Sequence, residues 1–535
     1  MATGSTNAAA QPKAIVVGGG FGGLAAAIRL ASRGHRVTLL ERQDQFGGRG
    51  MVFRQDGFSF DAGPTVITAP FLLEELFALS GRRMEDYVTL KPVDPWYRVV
   101  FPDGRSFDYV GDEERTVEQI RKFNPKDVDG WRRLKAHADD IYSVGFEKLA
   151  DVPFSKLSDM ARALPQMARL RSDRSVYRAV SREIKDPSLR QVFTFQPLLV
   201  GGNPFHTSSI YLLIGALERK FGVSFPVGGT AALVAALVKL AGALGVELRT
   251  GATVEQILVE GGQARGVRLE GGAELRADRV VCNADAPAVY RTLIAPEHRR
   301  KHTDVRIDKL KFSMGLFVAY FGTKTTHPQL AHHTILLGPR YRALLEDVFD
   351  KKVLAEDFSL YLHAPTRTDP SLAPPGHENF YVLSPVPNNQ AKDGRKVDWS
   401  AEGERYRDRI FAALEQRVIP GLRRDLVSVK HVTPDHFEKN LLAMHGAGFS
   451  IEPTLTQSAW FRFHNESEDV GGLYFVGAGT HPGAGVPGVL CSAKVLDRLI
   501  PEAGREQTRP LRKLVAVPAA SGASLNVAAR AGSAS

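Results

Sequence analysis

The sequence predicts a mixed α/β fold on a parallel sheet whose strands come from three separated stretches of chain. Three observations predict it. A strand–glycine–helix–strand unit opens the chain, a similar grammar returns after residue 226, and a last strand near residue 473 runs into glycines and a helix. The strands are short continuous apolar runs rather than alternating ones, as in parallel strands buried on both faces.

Ala14–Val17 is the first strand, and Leu24–Ala31 the helix that follows its glycines, with Gly34 as the stop. Val37–Glu41 is the next strand and completes a βαβ unit. Pro226–Thr230 opens an Ala/Leu-rich helix through about Ala241, with Gly242 as its end signal. Strands follow at 246–250, 254–259, 267–269 and 279–282. Leu473–Gly477 is one more, with a helix starting near Val489 and running through Ala493 and Leu496.

Composition bounds the rest. The chain has 535 residues, 43% hydrophobic and 24% charged, which excludes a mostly disordered chain and a polytopic membrane protein. The net charge of +10 fits an anionic cofactor or an anionic membrane surface. With no block of like charges and no nucleic-acid motif, no nucleic acid is expected as a partner. Two distant cysteines, Cys282 and Cys491, make neither a disulfide framework nor a zinc site. No metal site and a cytoplasmic location are the expectations. No secretory signal and no apolar run of spanning length is visible. Segments 1–12 and 506–535 read as disordered tails.

Gly18-x-Gly20-x-x-Gly23 follows a strand and opens a helix, and Glu41 ends the next strand. This is a dinucleotide-binding, Rossmann-type fingerprint in its required context. Gly18 permits the tight turn, Gly20 the approach of a pyrophosphate, and Gly23 close packing of helix on strand. The helix N-terminus attracts phosphate, and Glu41 is placed for ribose hydroxyls. Gly47-Gly48-Arg49 adds a second close approach and a donor fork, which favours FAD over NAD. Asp61-Ala62-Gly63-Pro64-Thr65 reads as a rigid turn. From Gly477 to Gly488 side chains are stripped away, so that a flat or charged group can touch backbone ahead of a helix N-terminus.

With these motifs the chain resembles the bacterial-type phytoene desaturases of the carotenoid/retinoid oxidoreductase family over residues 13–500. Beyond the fingerprint the likeness rests on Phe60–Thr65, Gly201–Phe205, Phe225–Thr230, Asn283–Asp285, Gln457–Arg462 and the 473–488 stretch. The resemblance implies an amine-oxidase-like fold and FAD as cofactor. It implies desaturation of phytoene, a C40 polyene, through successive double bonds to lycopene or neurosporene. Partners would be an anionic membrane surface, with peripheral attachment, and oxygen or a quinone as electron acceptor. Residues 13–75, 221–300 and 456–500 would form the FAD-binding domain. Residues 76–220 and 301–455 would form a substrate domain with a β-sheet and a helical membrane-contact region at about 115–220. Cofactor contacts fall on Gly18, Gly20, Phe21, Gly22, Gly23, Glu41, Gly47, Gly48, Arg49, Gly63, Pro64, Thr65, Val254, Gly479, Thr480, Val486 and Val489. Ala478 stands where many wider flavoproteins carry an acid that holds the ribityl chain.

Hydride loss to a flavin and proton loss from the neighbouring carbon ask for a dry channel, aromatic faces for transient positive charge, and a proton acceptor. The aromatic candidates are Trp96, Tyr97, Phe193, Phe195, Phe312, Phe317, Tyr320, Phe321, Phe449, Trp460 and Phe461. His481 and Asp61 rank first as the base, ahead of His206, His363, Asp285 and Glu452. Residues 154–171 carry apolar residues at helical spacing with Lys156, Arg162, Arg169 and Arg171 between them, a basic amphipathic stretch fit for a membrane surface or for the protein's own core. Pro165 is expected to kink it. The alternatives are another carotenoid or C30 polyene desaturase, an amine oxidase, or a non-catalytic prenyl or lipid carrier on the same fold.

Overall fold

The computed structural model describes residues 11–504; of the two foreseen tails only Gln11 and Pro12 fall inside that range. Five strands form a wholly parallel sheet in the order Leu473–Phe475, Arg279–Cys282, Lys13–Val17, Arg36–Leu40, Glu247–Arg249. Val16 sits beside Val281 on one side and Leu39 on the other, so the first strand is central. The carboxyl ends of three of these strands deliver Gly18, Glu41 and Gly477 to one edge, where open α/β sheets bind ligands.

Helix Phe21–Ser32 is buried along its first ten residues, and its small Ala25–Ala27 face lets it pack on helix Val486–Leu499. Buried Arg29 links the second helix through Asp497 (2.6 Å) to Glu75 (2.8 Å). Helix Val486–Leu499 begins three residues before the position expected from the sequence. Pro487 falls in its first turn, where a missing N–H costs nothing.

A seven-stranded sheet lies beyond, in the order 426–432, 315–323, 378–386, 360–363, 333–336, 97–100, 106–109. It is antiparallel except where 333–336 meets 97–100. Strand Gly315–Thr323 is buried at all nine positions. Phe317, Ala319 and Phe321 pack against helix Trp399–Arg417 through Tyr406, Ile410 and Leu414. Leu316, Val318 and Tyr320 turn the other way, toward Phe58 and Phe60. Helices at 113–145, 157–169, 176–183 and 213–221 come from the chain's first half, and those at 113–123 and 213–221 touch the 106–109 and 97–100 edge of this sheet through Phe123–Phe107 and Glu218–Tyr97.

The 154–171 stretch forms helix Leu157–Arg169, with Pro165 inside it. Its apolar residues divide between two faces. Phe154, Met160, Ala163 and Met167 line an internal cavity, while Leu157 and Leu164 are 68% and 52% exposed.

Candidate functional site

A cavity of about 540 Å³ begins at the glycine edge of the parallel sheet and runs beneath the seven-stranded sheet. Its first part is built from backbone. Gly18, at φ +96°, makes a turn that only glycine adopts without strain, and its N–H donates to Leu40 O at 2.7 Å. A Cβ at Gly23 would stand 1.9 Å from Gly18 O, so this glycine does not face the cavity but lets helix and strand meet. The N-cap Gly20 supplies no side chain to the first helical N–H groups, and Gly20, Phe21 and Gly22 line the opening. Glu41 lines it too, but its carboxylate already holds the loop: Gly19 N–H donates to Oε2 at 2.7 Å and Gln43 N–H to Oε1 at 2.9 Å.

Opposite stand Gly47, Gly48 and Arg49, then Gly63, Pro64 and Thr65. Arg49 is partly buried, and its Nε and Nη2 are buried with no partner among the described residues. Burial lowers its pKa, with Asp285 the one opposing charge acting on it. Val254, Val486 and Val489 complete this wall. Gly479 and Thr480 do not. A Cβ at Gly479 would press on Ala286 N at 2.9 Å, and Thr480 Oγ1 donates to Phe463 O at 2.7 Å. Ala478 lines the cavity, and its carbonyl is held by buried Arg462, which also donates to Thr480 O at 3.1 Å and Gln457 O at 3.3 Å. That arginine, not foreseen from the sequence, ties the glycine-rich segment in place.

The base candidates separate. His481 lines the cavity. Its Nε2 lies 3.3 Å from Leu149 O, with the Val152 backbone also acting on the ring; the ring is 5.1 Å from that of Phe154, and Nδ1 makes no hydrogen bond among the described residues. Burial pushes its pKa down to about 4. Asp61 is not in the lining. Its Oδ1 accepts from Thr230 N–H at 2.9 Å, under the start of helix Gly229–Ala243, and burial outweighs that bond, raising its pKa to about 7. His206, near Glu452 at 3.6 Å and Asp350 at 3.9 Å, is likewise outside the lining, as are Asp285 and Glu452.

Beyond the glycines the lining is apolar and aromatic. Of the foreseen aromatics, Phe195, Phe449 and Phe461 reach it. Trp96, Tyr97, Phe193, Phe312, Phe317, Tyr320, Phe321 and Trp460 do not; Phe317 and Phe321, for example, face a helix on the far side of the sheet. Phe146, Tyr211, Tyr341, Tyr361 and Tyr381 do line it and carried no distinguishing sequence signal. Glu218 is a buried carboxyl in the lining. Its Oε1 accepts from Tyr97 Oη at 2.8 Å, Gln196 and Arg219 also act on the carboxyl, and burial outweighs them, raising its pKa to about 7.

A backbone cradle beside an arginine with two buried, partnerless donors, opening into an apolar channel, fits a large anionic cofactor with a flat ring. The comparisons agree. The family of flavin-containing amine oxidoreductases matches residues 21–494. The chain belongs to this family. Among curated relatives, a phytoene desaturase (lycopene-forming) of Pseudescherichia vulneris is 51% identical over 490 residues, 92% of this chain and 99% of that one. A neurosporene-forming phytoene desaturase of Rhodobacter capsulatus is 45% identical over 508 residues, 94% and 97% of the two chains. Among solved structures, putrescine oxidase bound to putrescine has a TM-score of 0.62 at 17% identity, covering 91% of this chain and 99% of that one. That likeness shows the amine-oxidase-like fold alone. As a flavin-containing amine oxidoreductase family member, the protein is an FAD-dependent oxidoreductase.

Proposed function

We propose that the protein desaturates phytoene at a membrane surface. The observation that carries this reading is the channel itself: an apolar, aromatic-lined cavity of about 540 Å³ continuous with the flavin cradle. A polyene has no polar group for a site to hold, so shape and dryness must position it. The relatives named above are called phytoene desaturases at 45–51% identity, and their lycopene- and neurosporene-forming types leave three or four steps as the range.

In this reading Gly20, Phe21 and Gly22 would offer backbone to the diphosphate, Arg49 would donate its unpartnered Nε–H and Nη2–H to it, and Glu41 would offer its remaining lone pairs to ribose. Gly63–Thr65 and Val486–Val489, which line the cavity, would hold the ring. FAD, when bound, supplies the hydride acceptor. Aromatic faces such as Tyr361, Tyr381 and Phe449 stabilise the allylic cation left on the substrate, and Glu218 adds a carboxyl that attracts the same charge when ionised. His481 takes the proton at Nδ1, because Leu149 O holds the imidazole proton on Nε2. The remaining cavity wall excludes water.

No helix among the described residues is long and apolar enough to cross a membrane. In this reading substrate enters beside helix Leu157–Arg169 and residues 459–461, which touch each other and both contribute to the cavity lining. Exposed Leu157, Leu164 and Phe461, flanked by exposed Lys156, Arg162 and Arg169, would dip into an anionic leaflet. Oxygen or a membrane quinone would remove the electrons.

The test is incubation of FAD-loaded protein with phytoene in anionic liposomes, followed by the visible spectrum of the extracted lipid. Long-wavelength polyene bands are expected, and their positions count the new double bonds. A colourless extract from flavin-loaded, liposome-bound protein would reject phytoene as substrate.

A further inference from the structure

Behind the cavity wall the seven-stranded sheet buries three histidines together. His333 and His363 are cross-strand partners on the 333–336 and 360–363 strands, and His332 immediately precedes the first strand. His333 and His363 are wholly buried and His332 is 5% exposed. One ligand nitrogen from each lies within 4.8 Å of the other two, and His332 Nε2 is 3.1 Å from His363 Nε2.

We infer that His332, His333 and His363 form a binding site for a first-row transition-metal dication of the zinc class. With metal–nitrogen bonds of about 2.0–2.1 Å, tetrahedral geometry separates ligand nitrogens by roughly 3.4 Å. The 3.1 Å pair is already at that spacing, and the third nitrogen closes by a side-chain movement on the order of 1 Å. The outer nitrogens of two rings are held as metal-bound imidazoles are. Tyr361 Oη lies 2.6 Å from His333 Nδ1, and Thr368 Oγ1 lies 2.6 Å from His332 Nδ1. Both contacts leave Nε2 directed at the shared space, and His333 Nε2 has no partner there among the described residues. Three imidazoles without thiolate or carboxylate suit zinc, copper, nickel or iron. A fourth position remains for water or hydroxide.

The ion would do more than fasten two strands. Tyr361 lines the cavity, and its Oη is also 2.8 Å from Thr65 Oγ1 in the turn beside the glycine cradle. An ion on His333 Nε2 places the imidazole proton on Nδ1. His333 then donates to Tyr361 Oη, and the Tyr361 O–H is released to donate to Thr65. The ion therefore sets the direction of a hydrogen-bond chain that ends at the cavity wall.

The experiment uses untagged holoenzyme purified without chelator, with metals counted by mass spectrometry, then chelator-treated protein titrated with zinc and with cobalt(II). About one ion per chain is expected, with the visible absorption of tetrahedral, nitrogen-ligated cobalt(II). H332N and H363N should abolish it, and Y361F should weaken zinc binding at least about tenfold while the protein stays folded. H206A, at a half-exposed histidine outside the cluster, should change nothing. Two results overturn the inference. One is wild-type protein that holds well under one ion per chain both as purified and after titration. The other is binding undiminished in H332N, H363N and Y361F. If the two histidine variants fail to fold, the cobalt(II) spectrum of the wild type and the Y361F affinity decide.

Discussion

Replacing Arg49 by methionine should move two measurements in opposite directions. The side chain lines the cavity and keeps Nε and Nη2 buried without partners among the described residues. In the flavin-free protein it is a charge with unmet buried donors, which costs about 1–3 kcal/mol or more. In the flavin-loaded protein those two donors meet a diphosphate, each charge-assisted bond contributing about 1.5–3 kcal/mol. Losing both removes about 3–6 kcal/mol of binding, which raises the Kd for FAD by about 10²- to 10⁴-fold. Asp285 loses one of the two cations acting on it but keeps Arg462 and the Met444 N–H, which donates to its Oδ2 at 3.0 Å. R49M apoprotein should therefore be as stable as wild type or up to about 3 kcal/mol more stable. Titration of apoprotein with FAD, followed by flavin fluorescence, reads the first quantity; urea denaturation of apoprotein reads the second. An FAD affinity within about threefold of wild type, which is under 1 kcal/mol, would refute the reasoning. So would an R49M apoprotein that is clearly less stable.

Three further outcomes are expected. Asp61, whose pKa rises from 3.8 to about 7 on folding, binds a proton in the native state that the unfolded chain has lost between those values. Its stabilising effect is therefore complete below about pH 4 and disappears as pH rises through 7, a swing of order 4 kcal/mol; D61N should flatten the fall in urea midpoint between pH 5 and pH 8, and parallel curves for the two proteins would count against it. His481→Phe should retain FAD but lower single-turnover desaturation about 10²-fold. Because the imidazole must be neutral and titrates near 4, wild-type activity should fall only in acid near that pH, and an unchanged rate in the variant would remove His481 from the reaction. Serine at Leu157, Leu164 and Phe461 together should reduce co-sedimentation with anionic liposomes by at least about tenfold, given roughly 1.5–3 kcal/mol per fully buried side chain, while leaving FAD binding intact. Loss of flavin instead would mean these residues serve the fold rather than the surface.

The parallel sheet was legible because strands buried on both faces leave uninterrupted apolar runs, and because glycines follow their ends at Gly18 and Gly477. The glycine cradle was legible for a related reason: a fingerprint confined to one turn needs no knowledge of distant contacts. The cavity wall was not, since its composition depends on strand parity and on tertiary contacts. Asp61 ends its strand and Ala62 follows it, yet only Ala62 lines the cavity, because Asp61 is turned under the start of helix Gly229–Ala243 to accept from Thr230 N–H. In Gly315–Thr323 the odd aromatic positions face a helix, while Leu316 and Val318 face the channel. Nothing in a strand buried throughout marks which face is which. The three-histidine cluster was hidden by distance. His332 and His333 lie thirty residues from His363, and only the antiparallel register of their strands brings them together.

The weakness of His481 as a base agrees with the reaction proposed for it. A C–H bond beside an allylic cation is strongly acidic, so its proton needs an acceptor in the right place more than a basic one. A carboxylate in the same apolar channel would be costly to keep charged, and burial answers by raising its pKa, as it does for Glu218. A buried imidazole has the opposite response: burial favours its neutral form, which is the form that accepts a proton. Its single proton is committed to Leu149 O, so the lone pair on Nδ1 is the free acceptor. The dryness that protects a cationic intermediate from water thus also keeps this acceptor in its working state. It would weaken the carboxylate alternative, and it lets one apolar cavity serve both hydride loss and proton loss without a charged base inside it.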